Sequence, residues 1–120
     1  MNIHKLDDMV KGWIAGDFSP SVVKTKNFEV AIQTHEKGYK APLHLHKKFI
    51  EINAIVSGSM KVNGRNLTAG DIFVFDVMEV SDAEFLEDTF VGKGIAHPSA
   101  SCSTDIGIAW VNENGCYLYD

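Results

Sequence analysis

The stretch Gly38-Tyr39-Lys40-Ala41-Pro42-Leu43-His44-Leu45-His46-Lys47-Lys48-Phe49-Ile50-Glu51-Ile52-Asn53-Ala54-Ile55-Val56-Ser57-Gly58 decides how this chain folds. His44 and His46 are separated by one residue. On an extended segment both imidazoles point to one side and Leu45 to the other. A turn at Lys47-Lys48 lets the chain return and brings Glu51 beside them. Two imidazoles and a carboxylate converging from neighbouring strands form a donor set suited to a divalent transition metal, and a facial arrangement leaves positions open for a ligand. Asn53, two residues beyond Glu51, shares its side of the strand and is a candidate contact for a bound small molecule.

Outward from this stretch the pattern stays mostly strand-like. Phe28, Val30 and Ile32 alternate with Glu29, Ala31 and Gln33, the period of a half-buried strand. Short strands are predicted at 43–46, 50–57, 59–62, 65–67, 72–75, 89–96, 106–111 and 116–119. Asn63-Gly64 between two of them suits a two-residue hairpin turn. Many short strands in a small chain indicate a sandwich or barrel. On 72–75, Phe73 and Phe75 share one side and Ile72 and Val74 the other; alternation does not say which pair faces inward. The N-terminus reads differently. Ile3, Leu6, Met9, Val10, Trp13 and Ile14 recur at helical steps, which predicts a helix over 3–15 that Gly16 and Ser19-Pro20 end.

With 120 residues the chain is one domain by length. The 45% apolar and 22% charged composition is that of a globular protein. No apolar run is long enough for a membrane-spanning helix, and no secretory signal is visible at the start. Acidic residues outnumber basic ones by 16 to 11, for a net charge of −5, which argues against nucleic acid as a partner. Cys102 and Cys116 are too few for a disulfide framework and read as reduced thiols, so a cytoplasmic location is expected.

The central stretch resembles the first conserved motif of the cupin superfamily. That motif is Gly, five residues, His-x-His, three or four residues, Glu, six residues, Gly, and Gly38, His44, His46, Glu51 and Gly58 fall on it without a gap. The resemblance spans roughly residues 25–112. It implies an all-β fold, a small jelly-roll β-barrel, here with a short N-terminal helix: helix over 1–16 and barrel over about 22–119, in a single domain 1–120. It also implies a metal held by His44, His46 and Glu51 in the barrel mouth, and a homodimer. The family's second motif is Gly, five residues, Pro-x-Gly, two residues, His. Gly70 to Phe75 match its opening, but Asp76 replaces Pro, Met78 replaces Gly and Ser81 replaces the last histidine. The fourth position falls first to water or the substrate itself, with Glu79 the candidate substitute ligand after that and His97 a third, and Ser81 joins Asn53 as a candidate pocket residue.

The function this implies is that of a metal-binding cupin acting on a small polar metabolite, a carboxylate or sugar derivative. Its cofactor is a divalent transition metal, with iron, manganese, nickel, zinc and copper all compatible. The alternatives are a non-catalytic small-ligand-binding module with an incomplete or empty metal site, and a metal-independent sugar isomerase or epimerase. Glu79, Asp76 and Tyr39 are the candidates for a general base. His35 reads as structural or exposed, His4 as solvated, and His97, just before Pro98, as a residue of an extended segment or turn.

Overall fold

The computed structural model describes residues 1–97. Its strands are β1 (Trp13–Ala15), β2 (Phe28–His35), β3 (Ile50–Ser57), β4 (Ser59–Val62), β5 (Arg65–Thr68), β6 (Ile72–Phe75), β7 (Ala83–Phe85) and β8 (Thr89–Ala96). They form two antiparallel sheets, a five-stranded one in the order β1-β2-β8-β3-β6 and a three-stranded one in the order β5-β4-β7. This is the jelly-roll architecture expected from the sequence. The strands predicted at 106–111 and 116–119, and Cys102 and Cys116, lie outside the described residues.

The apolar residues of the two inner faces make the core. Ile55, Val91 and Phe75 of the large sheet pack with Met60, Val62, Ala83 and Phe85 of the small one. Burying a side chain of this size stabilises the fold by roughly 1.5–3 kcal/mol before entropy is counted. On β6 it is Phe73 and Phe75 that face inward; Ile72 and Val74 lie on the outer surface, 71% and 53% exposed.

The alternation of β3 is inverted at its start. Glu51 and Asn53 point inward and are buried, while Ile50, Ile52 and Ala54 face outward and stay half-buried. A strand that turns two polar side chains into the interior breaks the usual burial rule, and such breaks concentrate at functional sites.

Two predictions are corrected here. The N-terminal helix is confined to a single turn of 3-10 helix, Leu6–Asp8, and residues 13–15 of the predicted helix are instead strand β1. Lys11 and Gly12 adopt left-handed φ values of 53° and 81°, and this turn reverses the chain. Gly12 is required there, because a Cβ would lie 2.1 Å from the Ile32 carbonyl oxygen. The free edge of β2 then pairs with Trp13 and Ala15, giving backbone partners that a short helix with a central glycine could not match. Second, 43–46 is no regular strand. Residues 38–44 run as an irregular extended edge along β7 and the residues before it, through Phe85 N–H to Tyr39 O (2.9 Å), Ala41 N–H to Ala83 O (2.9 Å) and a lone bridge between His44 and Ser81. Pro42 lies within this edge and has no N–H to offer a ladder.

Candidate metal centre

The two histidines and the glutamate reach the site from different sheets. His44 and His46 sit on the irregular edge of the small sheet, and Glu51 opens β3 of the large one. The histidine segment is tied by its backbone to residues 78–81: Ser81 N–H donates to His44 O (2.8 Å) and Met78 N–H to His46 O (2.7 Å). The degenerate second motif therefore still scaffolds the first, through main-chain bonds that any side chain permits.

Glu51 is the centre of the cluster and is 3% exposed. Its Oε1 lies 3.1 Å from His46 Nε2 and 3.6 Å from His44 Nε2. Its Oε2 accepts a hydrogen bond from Asn53 Nδ2 (2.9 Å) and faces Lys93 Nζ at 3.8 Å. One carboxylate oxygen thus serves the imidazoles, while the other is held in place. Burial pushes the Glu51 pKa up, but Lys93, the Asn53 amide, His46 and His44 together outweigh it and hold the carboxyl below its ordinary value. Glu51 is therefore an anion at neutral pH. His44 Nδ1 lies 3.2 Å from the Pro42 carbonyl, which can only accept. The hydrogen belongs on Nδ1, and Nε2, the nitrogen facing Glu51, carries the lone pair.

One donor atom from each of His44, His46 and Glu51 lies within 4.8 Å of the others. Two imidazole nitrogens and a carboxylate oxygen, fixed by an orienting carbonyl and an orienting amide, are chemically fit to hold a divalent transition metal. Among the described residues no further histidine, cysteine or acidic group joins them. Glu79 in particular is not brought to the cluster. It is exposed in the turn after β6, where its Oε1 accepts the Asp76 N–H (3.1 Å). Asp76 is exposed in the same turn and spends a carboxylate oxygen on the Val77 N–H.

Beside the cluster lies a cavity of about 310 Å³ between the sheets, lined by His44, Glu51, Asn53, Ser81 and Lys93 among others. Both predicted pocket residues border it. Ser81 is buried, and Asn53 has its amide committed to Glu51. Tyr39 also lines the cavity, beside His35 with ring centroids 5.4 Å apart. His35 stacks on Phe85 at 4.3 Å, which agrees with its structural reading. His97 lies edge-on to Phe49 at 6.1 Å. Lys93 was missed by the sequence reading. Its signal was present: it stands between Val91 and Ile95 at strand spacing, on the buried side of β8.

No family model matches the chain, and no curated protein matches it. Solved structures do. KdgF from Halomonas sp. is 26% identical over 61% of this chain and 71% of that one, with a TM-score of 0.57. An RmlC-like cupin protein from Desulfovibrio desulfuricans is 18% identical over 80% of this chain and 96% of that one, with a TM-score of 0.57. The bacterial pirin YhhW from Escherichia coli, solved in complex with nickel(II), is 14% identical over 72% of this chain but only 39% of its own, with a TM-score of 0.63. The double-sheet architecture, the placement of the first-motif residues and these likenesses give the chain the cupin fold.

Proposed function

We propose that this cupin binds a divalent transition metal through His44, His46 and Glu51 and presents it to a small polar metabolite in the adjoining cavity. The observation that carries this reading is the convergence of the three donor atoms within 4.8 Å, around a carboxylate that is buried yet anionic. A buried anion without a cation is costly, and the Lys93 contact at 3.8 Å is long for a full ion pair. The nickel(II) bound by the structurally similar YhhW supports a metal of this class and leaves iron, manganese, zinc and copper in play.

Bound there, a metal would supply Lewis acidity toward a carbonyl or carboxylate. The chain's own groups do the rest. The Pro42 carbonyl fixes the His44 tautomer and Asn53 orients Glu51. The same reading, through the cupin resemblance, makes the protein a cytoplasmic homodimer.

A second reading is favoured by one observation. Ser81 occupies the place of the family's last histidine, and a hydroxyl is a weak ligand. Three ligands are then all the described residues offer, and a binding module without turnover would need no more. Elemental analysis of purified protein and of His44→Ala and Glu51→Ala decides between them, with calorimetric nickel(II) titration of the metal-stripped forms. We expect about one metal per chain in the parent and a loss of at least tenfold in nickel affinity in each variant. Equally low metal in all three overturns the metal-site reading. Light scattering on the same samples reads the mass against the 13.2 kDa monomer.

A further inference from the structure

We propose that Lys93 anchors the anionic group of the cavity's ligand, and that this ligand is a small carboxylate with an apolar, ring-sized body. The inference deepens the metal-site reading and rests on it for the identity of the site. It narrows a general polar metabolite to one chemical class.

The first observation is charge. Lys93 is the one lysine and Glu51 the one acid among the residues lining the cavity. Lys93 Nζ lies 3.8 Å from Glu51 Oε2, and its side chain is 19% exposed. It stands on β8 directly across from Asn53 on β3 and Ala31 on β2, so its stem is held within the sheet's inner face. With Glu51 committed to a divalent cation, the cavity is left with a positive excess and Lys93 with no anion of its own. A half-buried cation in that position needs another anion, and no acid besides Glu51 lines the cavity. His35 does not add to the excess, because burial and the Lys93 charge favour its neutral form.

The second observation is the shortage of other polar groups. The Gln33 amide donates to Lys11 O (3.0 Å) and the Asn53 amide to Glu51. The Ser81 hydroxyl, in a residue 6% exposed, has no hydrogen-bond partner among the described residues and is a small donor free to meet the ligand. His35, Tyr39 and His44 also border the cavity, and the rest of the wall is apolar, with Met60, Phe73, Phe75, Phe85 and Val91 on it. A carboxylate on Lys93 with an apolar body against the phenylalanines satisfies both halves. The volume, about 310 Å³, sits at the small end of ligand cavities.

Benzoate and its neutral isostere benzamide are the probes. Their binding is followed by calorimetry and ligand-observed NMR on the parent, Lys93→Met and Lys93→Arg, each metal-stripped and nickel-loaded. We expect nickel-loaded parent to prefer benzoate by about tenfold or more, the size of a charge-assisted hydrogen bond. Lys93→Met should lose that preference with benzamide binding changed less than about threefold, and Lys93→Arg should keep it. Where Lys93→Met fails a thermal melt, Lys93→Gln takes its place. Equal binding of the two probes to the parent, no binding of either, or an undiminished preference in Lys93→Met overturns the proposal. Failure of the metal reading is read separately, as absence of nickel binding in the calorimeter before any probe is added.

Discussion

Ser81 is where this chain departs from the family pattern with the largest chemical consequence. Its backbone pairs with His44 in both directions, its side chain borders the cavity, and its hydroxyl is unpaired among the described residues. Because the backbone bond sets the position, a side chain exchanged there enters the space beside the cluster without moving His44. Ser81→His is therefore expected to supply the imidazole of the complete second motif and to tighten nickel(II) binding by about tenfold or more, measured by calorimetry on metal-stripped protein. Unchanged affinity would show that the site does not extend toward Ser81. At this scale the sequence was readable where spacing alone decides orientation: His44, His46 and Glu51 converge as one-residue and strand-return spacing requires. It misled for Glu79. Two-residue parity with Ser81 holds only while the chain is extended, and a turn intervenes, with Met78 at φ 65°. Asn53 was correctly placed on the inner side, but its amide serves the carboxylate, a partnership that parity cannot reveal.

Elements were legible in proportion to how local their cause is. β3, β4, β6 and β8 match the predicted ranges because each is a short apolar-rich run bounded by turn residues. The hairpin turn between β4 and β5 has Asn63 and Gly64 at φ 47° and 81°, as that dipeptide indicates. β7 was not legible, since three residues amid acidic ones carry little pattern; it exists because Lys61 and its neighbours offer an edge. β1 was hidden for the opposite reason: its apolar residues satisfy a helical period, and only the unpaired edge of β2 decides against it. The junction of β3 and β4 yields a prediction. Gly58 closes the first motif with φ 92°, and a Cβ there would lie 2.5 Å from both Asp88 O and Thr89 Oγ1. Gly58→Ala is expected to destabilise the fold by about 2 kcal/mol or more in a urea melt, combining left-handed strain with a clash against backbone. A cost under about 1 kcal/mol would mean that the start of β8 yields easily.

For the molecule as a whole, one half-buried ring contributes to the pH dependence of stability near neutrality. Burial first, and then the Lys93 charge, hold the His35 pKa below its ordinary value. The unfolded chain therefore binds the proton more readily. The stabilising contribution is complete above the ordinary histidine pKa of about 6.5 and is lost as pH falls through the depressed folded value. The melting temperature should accordingly drop as pH is lowered from about 7 toward 5, and His35→Phe, which keeps a ring against Phe85, should flatten that slope. An identical slope in the variant would assign the acid sensitivity elsewhere.

The strand order has a consequence for how the chain is made. β8 is inserted between β2 and β3 and hydrogen-bonds to both, with Phe28 to His35 on one side and Ile50 to Ser57 on the other. Until residues 89–96 have left the ribosome, the two longest earlier strands each present a bare edge to their surroundings. Such edges recruit other chains. The nascent polypeptide is thus most exposed to mispairing just before its central strand emerges, and slowing translation upstream of Thr89 would lengthen that window.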